Sequence, residues 1–407
     1  MPIQICYMVK GVLFFFAFAF AQVQSFGQVM HIPKHTPCEA GDARTELYFP
    51  LLKGKHVGVI ANQTAVIGNT HLVDSLVRAG IDVVRIFAPE HGFRGEEGNG
   101  DAVKAGIDSK TGIEVFSLYG KQYKPSDASL KGIDVLVFDI QDVGTRFYTF
   151  LSTLHYVMLA AAEHHITVYV LDRPNPNGMI IDGPVLKDST LHSFVGMHPI
   201  PLLHGCTLGE LALMINGEGW LGKEKSCQVR IIPCGNYTHQ SVCALPIPPS
   251  PNLRDMYAIY AYPSLCWYEG TRVSVGRGTS EPFHWVGYPG CPITEVSFVP
   301  KKIPGVSSEP LFENKTCTGK YIIDKSHAPE PFHQIDVELL LTLYKTCAEK
   351  EKFFSSPLFF DKLAGTKMLR EQVIAGKTAE EIRASWAHDL FEYKEVRNKY
   401  LLYSDYE

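Results

Sequence analysis

Several signatures are missing from this chain, and each absence removes a class of chemistry. No G-x-G-x-x-G opens a strand-to-helix turn, so a dinucleotide cofactor is not expected even where strands and helices alternate. No H-E-x-x-H and no tightly spaced cysteine pairs occur, which removes the diagnostic zinc spacings. The G-x-S-x-G turn of a serine hydrolase is absent as well. Basic runs are lacking and the net charge is -5, so a nucleic-acid surface is not expected. Low-complexity segments and internal repeats are absent, and beyond Ala21 no apolar run is long enough to span a bilayer.

What is present begins with a leader. Lys10 precedes the apolar run Gly11 to Ala21, and small and polar residues follow to Gly27, the pattern of a secretory signal peptide over residues 1–27. No cysteine follows the run directly, which argues against a lipid anchor. The expectation is an exported protein, periplasmic or extracellular, with no stable membrane insertion once the leader is removed. About 380 residues then remain, enough for roughly two domains. Export permits disulfides, and of ten cysteines the loss of Cys6 leaves nine, so at least one stays unpaired within a monomer. Cys227, Cys234 and Cys243 are close enough in sequence for a local bridge.

Four short apolar runs each end in a polar turn. His56 to Ile60 leads into Asn62 and Gln63, and Val83 to Phe87 into Pro89, Glu90, His91 and Arg94. Ile133 to Ile140 leads into Asp142 and Arg146, and Thr167 to Leu171 into Asp172, Arg173 and Asn175. Helical patterns, Thr70 to Ala79 and Phe147 to His165, lie between them. Continuous apolar strands are those buried on both faces, so the pattern predicts parallel βαβ units. Ligands of such sheets bind at the carboxyl ends of the strands, where Asn62, Glu90, Asp139, Asp142, Arg146, Asp172 and Arg173 are expected to converge. The stretch Ile86 to Gly100 stands out because its charged residues, including Glu96 and Glu97, are interleaved with glycines that let a backbone approach a ligand.

Further along, His204 precedes a helix from Thr207 to Asn216 that opens with a capping box, Thr207 facing Glu210. The proline-rich Leu245 to Leu253 marks a domain boundary or rigid connection, which divides the chain into 45–245 and 246–407. A second polar cluster follows, with Tyr262, Glu269, Arg277 and Glu281, and forms a candidate opposite wall of a cleft. Two more helices are predicted, Asp336 to Lys350 and one from the capping box Thr378/Glu381 to Tyr403. The aromatic stripe of the latter, Trp386, Phe391, Tyr393 and Tyr400, reads as core.

Taken together, VIANQT, FAPEHGFRG, FDIQDVGTRFYTF, VLDRPNPNG, PLLHGCTLGELA, YPSLCWYEGT and SVGRGTSEPF resemble the exo-β-N-acetylmuramidase family of peptidoglycan glycoside hydrolases, long carried as a domain of unknown function. The resemblance runs from about Leu47 to Tyr403 and includes FDKLAGT and AGKTAEEIRASW. It implies an α/β protein: a Rossmann-like domain with a parallel sheet, then a smaller mixed α/β C-terminal domain, with the active site between them. It also implies release of terminal β-linked N-acetylmuramic acid from peptidoglycan fragments without a cofactor, with the glutamate of EHGFRG, here Glu90, as the catalytic group.

Glycoside hydrolysis needs a proton donor at the leaving oxygen and a second group that attacks, activates water or stabilises the oxocarbenium-like transition state. Glu90 is the expected donor and His91 a candidate to orient it. Asp142 is a candidate second group, in competition with Asp139, Glu269, Glu281 and the substrate's own acetamide. The lactyl carboxylate calls for an arginine, drawn from Arg94, Arg146, Arg173 and Arg277, with Arg146 and Arg277 preferred. Asn62, Gln63, Asn175 and His204 are candidates for sugar hydroxyls or the acetamide, and Tyr148, Tyr262 and Trp267 for the ring face. Asp172 carries the same ambiguity as Asp139, since both are equally suited to pinning backbone amides. Two rival readings stay open: a metal-dependent hydrolase using His91, Asp139, Asp172 and His204, and a non-catalytic glycan-binding protein.

Overall fold

The structure, a computed structural model, describes residues 37–95 and 105–405. The expected leader and the pair Glu96 and Glu97 therefore lie outside the described residues. Seven strands form the main sheet: β1 (His56–Ala61), β2 (Asp82–Ala88), β3 (Gly106–Ile107), β4 (Glu114–Ser117), β5 (Val135–Asp139), β6 (Thr167–Leu171) and β7 (Val229–Ile232). Their order is β7-β6-β5-β1-β2-β4-β3, and every pair is parallel except the antiparallel edge β3–β4. The four strands read from the sequence are thus joined by three that it did not reveal, because β3 is short and exposed and β4 and β7 are short and only partly buried.

Side chains alternate across a strand, and the two faces of this sheet bury different sets. Val57, Val59, Val135, Val137, Tyr169 and Leu171 face the helices Thr45–Leu52 and Leu72–Arg78, which contribute Tyr48, Leu52, Leu72 and Leu76. Ile60, Leu136, Phe138, Val168 and Val170 face the other way, toward Leu151, Leu154 and Met158 of the helix Phe150–Glu163 and Leu211 of the helix Leu208–Gly217. That second cluster continues unbroken through Trp267, Phe283 and Leu340 to Trp386, so one hydrophobic core joins the sheet to the C-terminal half. The latter contains a three-stranded antiparallel sheet, β8 (Trp285–Tyr288), β9 (Val296–Phe298) and β10 (Cys317–Tyr321), with β10 in the centre.

Local signals were mostly sufficient for the helices. Both capping boxes form, Thr207 with Glu210 and Thr378 with Glu381. The pattern from Thr70 is different: Thr70–His71 pairs with Val66–Ile67 as a small hairpin, and the helix starts only at Leu72, capped by the His71 side chain. Trp386 and Tyr393 are core, whereas Phe391 is exposed. The local cysteine bridge is not formed. Cys243 pairs with Cys38, 205 residues away, while Cys227 and Cys234 are buried thiols. Bridging so distant positions removes much freedom from the unfolded chain.

At the carboxyl ends of β5 and β6 the sheet brings acidic side chains inside. Arg173 donates through Nε to Asp139 Oδ1 at 2.6 Å and through Nη2 to Asp42 Oδ2 at 2.6 Å. All three side chains are at most 7 % exposed. Burial works against the charge on Arg173, but the two carboxylates outweigh it and hold its pKa above the ordinary value. Removing the guanidinium leaves two buried carboxylates without a counter-charge, so Arg173→Leu should lower unfolding free energy by about 3–5 kcal/mol. Urea unfolding measures this, and a change under about 1 kcal/mol would show that the cluster is not structurally important.

Candidate active site

The turn after β2 presents Glu90. His91 lies in the left-handed region at φ 70° and Gly92 at φ 78°, closed by a bond from the Gly92 amide to the Pro89 carbonyl at 3.0 Å. A histidine in that conformation carries strain of about 1–3 kcal/mol, of the kind that collects at functional turns. Thr149, at the start of the helix Phe150–Glu163, does not cap its own helix. Its hydroxyl instead donates to Glu90 Oε2 at 2.6 Å and fixes the carboxyl.

Glu90 and His91 line a cavity of about 310 Å³ together with Tyr148, Thr149, Tyr262, Cys266, Glu269 and Arg277. Aromatic side chains, Tyr119, Tyr123, Phe147, Phe194 and Phe283, make up much of the remaining wall. Glu269 accepts from Arg277 Nε at 2.6 Å, and the guanidinium lies over the Phe283 ring at 5.0 Å. Arg277 Nη1 is buried without a protein acceptor. Two acids, Glu90 and Glu269, and one guanidinium therefore share one chamber. Burial raises the Tyr148 phenol well above its ordinary pKa, with Asp142 and Glu90 adding to the rise and Arg277 opposing it. Burial likewise raises the Cys266 thiol well above its ordinary pKa, with Glu269 and Glu90 adding to the rise and Arg277 opposing it.

Known proteins resemble this chain over nearly its whole described length. The N-terminal model of the exo-β-N-acetylmuramidase NamZ family matches residues 57–257 and its C-terminal model residues 260–403. The peptidoglycan β-N-acetylmuramidase NamZ of Bacillus subtilis is 39 % identical over 376 residues, 88 % of this chain and 89 % of the relative. The chain belongs to the exo-β-N-acetylmuramidase NamZ family. Two crystal structures of DUF1343 family proteins from Bacteroides fragilis share the fold. One has a TM-score of 0.82 at 45 % identity, covering 91 % of this chain and 100 % of that one; the other 0.76 at 30 %, covering 90 % and 99 %.

Within this NamZ-family chain, six of the residues singled out from sequence line the chamber: Glu90, His91, Tyr148, Tyr262, Glu269 and Arg277. The others are engaged elsewhere. Asn62 Oδ1 accepts from the Thr64 amide and hydroxyl, and Gln63 donates to the Pro248 and Pro249 carbonyls. Arg94 grips Asp108 through Nε at 2.8 Å and Nη2 at 2.9 Å. Arg146, one of two expected readers of the lactyl group, is not in the chamber wall: it donates through Nη1 and Nη2 to the Pro184, Ile200 and Leu363 carbonyls, its Nε is buried without a protein acceptor, and burial pushes its pKa down to about 9. Asp139 and Arg173 hold each other, while Asp172 accepts from the Thr207 and Tyr403 hydroxyls, both at 2.6 Å. Asn175 donates to the Cys206 carbonyl, His204 Nδ1 accepts from the Cys206 amide, and Glu281 pairs with Lys325. Trp267 is wholly buried. Consequently His91, Asp139, Asp172 and His204 do not come together as a ligand set, and among the described residues no such group of three is placed to hold a metal ion.

Sequence reading missed Thr149, although it lies inside FDIQDVGTRFYTF, because only the folded helix start meets the β2 turn. It also missed Ser250 and Leu253, which the proline-rich segment contributes to the chamber wall.

Asp142 stands behind the chamber rather than in its wall. Its Oδ1 accepts from the Gly144 amide at 2.6 Å and its Oδ2 is buried without a protein partner. Gly144 is obligatory there, since at φ 80° a Cβ would lie 2.1 Å from Asn175 Oδ1. Burial pushes the Asp142 carboxyl up to about 7, against about 4 in an unfolded chain. Between those values the folded protein keeps a proton that the unfolded chain has lost, so stability falls as pH rises through that window. Asp142→Asn keeps the acceptor for Gly144 and should remove this loss. The stability of wild type relative to variant should drop by up to about 1.4 kcal/mol per pH unit between roughly pH 4 and 7. Urea unfolding of both across that range is the measurement, and a pH-independent difference would contradict the raised carboxyl.

Proposed function

We propose that this protein is an exo-acting glycoside hydrolase that removes β-linked N-acetylmuramic acid from the non-reducing ends of peptidoglycan fragments, with Glu90 as proton donor. The observation that carries the reading is the Glu90 carboxyl, held by Thr149 in a chamber whose other wall presents Glu269 paired to Arg277. A donor at the leaving oxygen and a second carboxylate on the same chamber are the two parts that glycoside hydrolysis requires. The Bacillus relative is named for this linkage and sugar. Glu269 takes the place of Asp142 as second carboxylate in this proposal, because Asp142 is outside the chamber wall. A chamber of about 310 Å³ is at the lower end of the range for small-ligand sites and suits a single terminal sugar.

Export belongs to the same proposal. It is supported by the apolar leader and by the Cys38–Cys243 bridge, since disulfides persist in oxidising compartments. Among the described residues no helix is long and apolar enough to cross a membrane.

Glu90→Gln keeps size and much of the hydrogen bonding but has no proton to give, so turnover of a MurNAc-GlcNAc disaccharide should fall on the order of a hundredfold or more. A glycoside with an acidic phenol needs less protonation and should be impaired less. Equal impairment on both substrates would assign Glu90 to positioning alone, and a near wild-type rate on the disaccharide would move the donor role elsewhere. Product analysis must also show terminal monosaccharide, because release of internal fragments contradicts exo action.

Arg277 is the remaining candidate for the lactyl carboxylate. Its Nη1 is a buried donor without a protein partner, and a site built around such a group rejects ligands that lack the matching acceptor. Arg277→Leu should therefore narrow the preference for N-acetylmuramic over N-acetylglucosamine glycosides by about tenfold or more, read as a ratio of kcat/KM values. An unchanged ratio would remove Arg277 from recognition.

A further inference from the structure

Tyr123 belongs to two cavities. It lines the Glu90 chamber, and it also borders a second cleft of about 460 Å³ shared with Gln122, Lys124, Asp127 and Tyr156. Three half-exposed rings mark the passage between them. Tyr123 stacks on Phe194 at 4.2 Å and 28°, and Tyr156 lies 6.2 Å from Tyr123 at 19° and 6.4 Å from Phe194 at 18°, so all three share nearly one orientation. The ledge is built in place. Ser152 Oγ donates to the Phe194 carbonyl at 2.7 Å, and Gln122 Nε2 to the Lys124 carbonyl at 2.8 Å. Lys124 itself is paired with Glu163 at 2.6 Å.

In the chamber Glu90 is held by Thr149 and Glu269 by Arg277, whereas Tyr119, Tyr123 and Phe194 pack on one another and Tyr123 continues into the second cleft. A terminal sugar held at the charged end must send the rest of its chain out along the aromatic end. A pyranose offers an apolar face of axial C–H bonds that packs on a ring while its hydroxyls stay in water, and tyrosine pairs an apolar body with a polar tip. A polyanion is less suited, since the one lysine of the cleft is paired with Glu163 and the cleft also carries Asp127. Resting on the exo-glycosidase reading above, we propose that the cleft beyond Tyr123 is an extended subsite for the reducing-end part of the glycan, holding sugars beyond the one that is directly cleaved from the terminal residue.

The test compares a MurNAc-GlcNAc disaccharide with the corresponding tetrasaccharide, neither carrying stem peptide. The wild type should favour the tetrasaccharide by about tenfold in kcat/KM, mostly through KM, because the added sugars contribute binding away from the reacting bond. Tyr156→Ala and Tyr123→Ala should each cut that ratio severalfold, and Tyr156→Phe, which keeps the ring, should restore it. Tyr156 lies outside the chamber wall, and circular dichroism and thermal unfolding report whether each variant is folded. A wild type with no chain-length preference, or alanine variants that keep the full preference, overturns the subsite while leaving the reaction intact. Failure of the wild type to release N-acetylmuramic acid from either substrate overturns the reaction and the subsite together.

Discussion

The guanidinium of Arg173, buried between Asp139 and Asp42, is the constraint from which the rest of the rim follows. A parallel sheet brings all of its strand carboxyl ends to one side, and in this chain those ends carry acids. Asp139 is the last residue of β5, and Asp172 follows β6 directly. Charges buried there are tolerated only when paired and fully hydrogen-bonded. Arg173 supplies the counter-charge for Asp139 and for Asp42 from the segment before β1, whereas Asp172, in no ion pair among the described residues, is raised to about 6 by burial and is held by the Thr207 and Tyr403 hydroxyls.

This satisfaction decides where a ligand can bind. The crevice at the ends of β5, β6 and β7 is filled by Arg173 and by the C-terminal tail. Leu402 donates its amide to Glu210 Oε1, and Tyr403 both donates to Asp172 and accepts from the Cys234 amide. What stays open lies toward β2. There the Glu90 turn, the start of the Phe150–Glu163 helix and the Glu269–Arg277 pair of the C-terminal half bound a chamber that the polypeptide does not fill. The general rule that ligands bind at strand carboxyl ends holds, but for one part of the rim.

The site joins rigidity with unspent hydrogen-bonding capacity. Thr149 and the strained His91 turn hold Glu90, and Glu269 holds Arg277 by one nitrogen while another is left without a protein acceptor. Arg146 is the instructive contrast. It is more deeply buried and lies in an equally suggestive motif, but its Nη1 and Nη2 donate to three backbone carbonyls, its Nε is left without a protein acceptor, and it is not part of the chamber wall. Two arginines with the same sequence credentials thus differ in placement, since only Arg277 faces the chamber.

Much of the fold was legible in the chain alone. The buried strands β1, β2, β5 and β6 announced themselves as apolar runs closed by polar turns, and the two capping boxes marked real helix starts, because these signals depend on neighbours within a few residues. The family could be read as well, since seven motifs in fixed order carry it. The short strands β3, β4 and β7 were hidden because exposure or partial burial leaves no apolar run. The cysteine pairing was hidden too, since Cys38 and Cys243 meet only in space. For the site, sequence determined the residue types and the rim they occupy. Only tertiary structure decided which acids are consumed by internal ion pairs and which face a cavity, because pairing a buried charge requires partners from opposite ends of the chain.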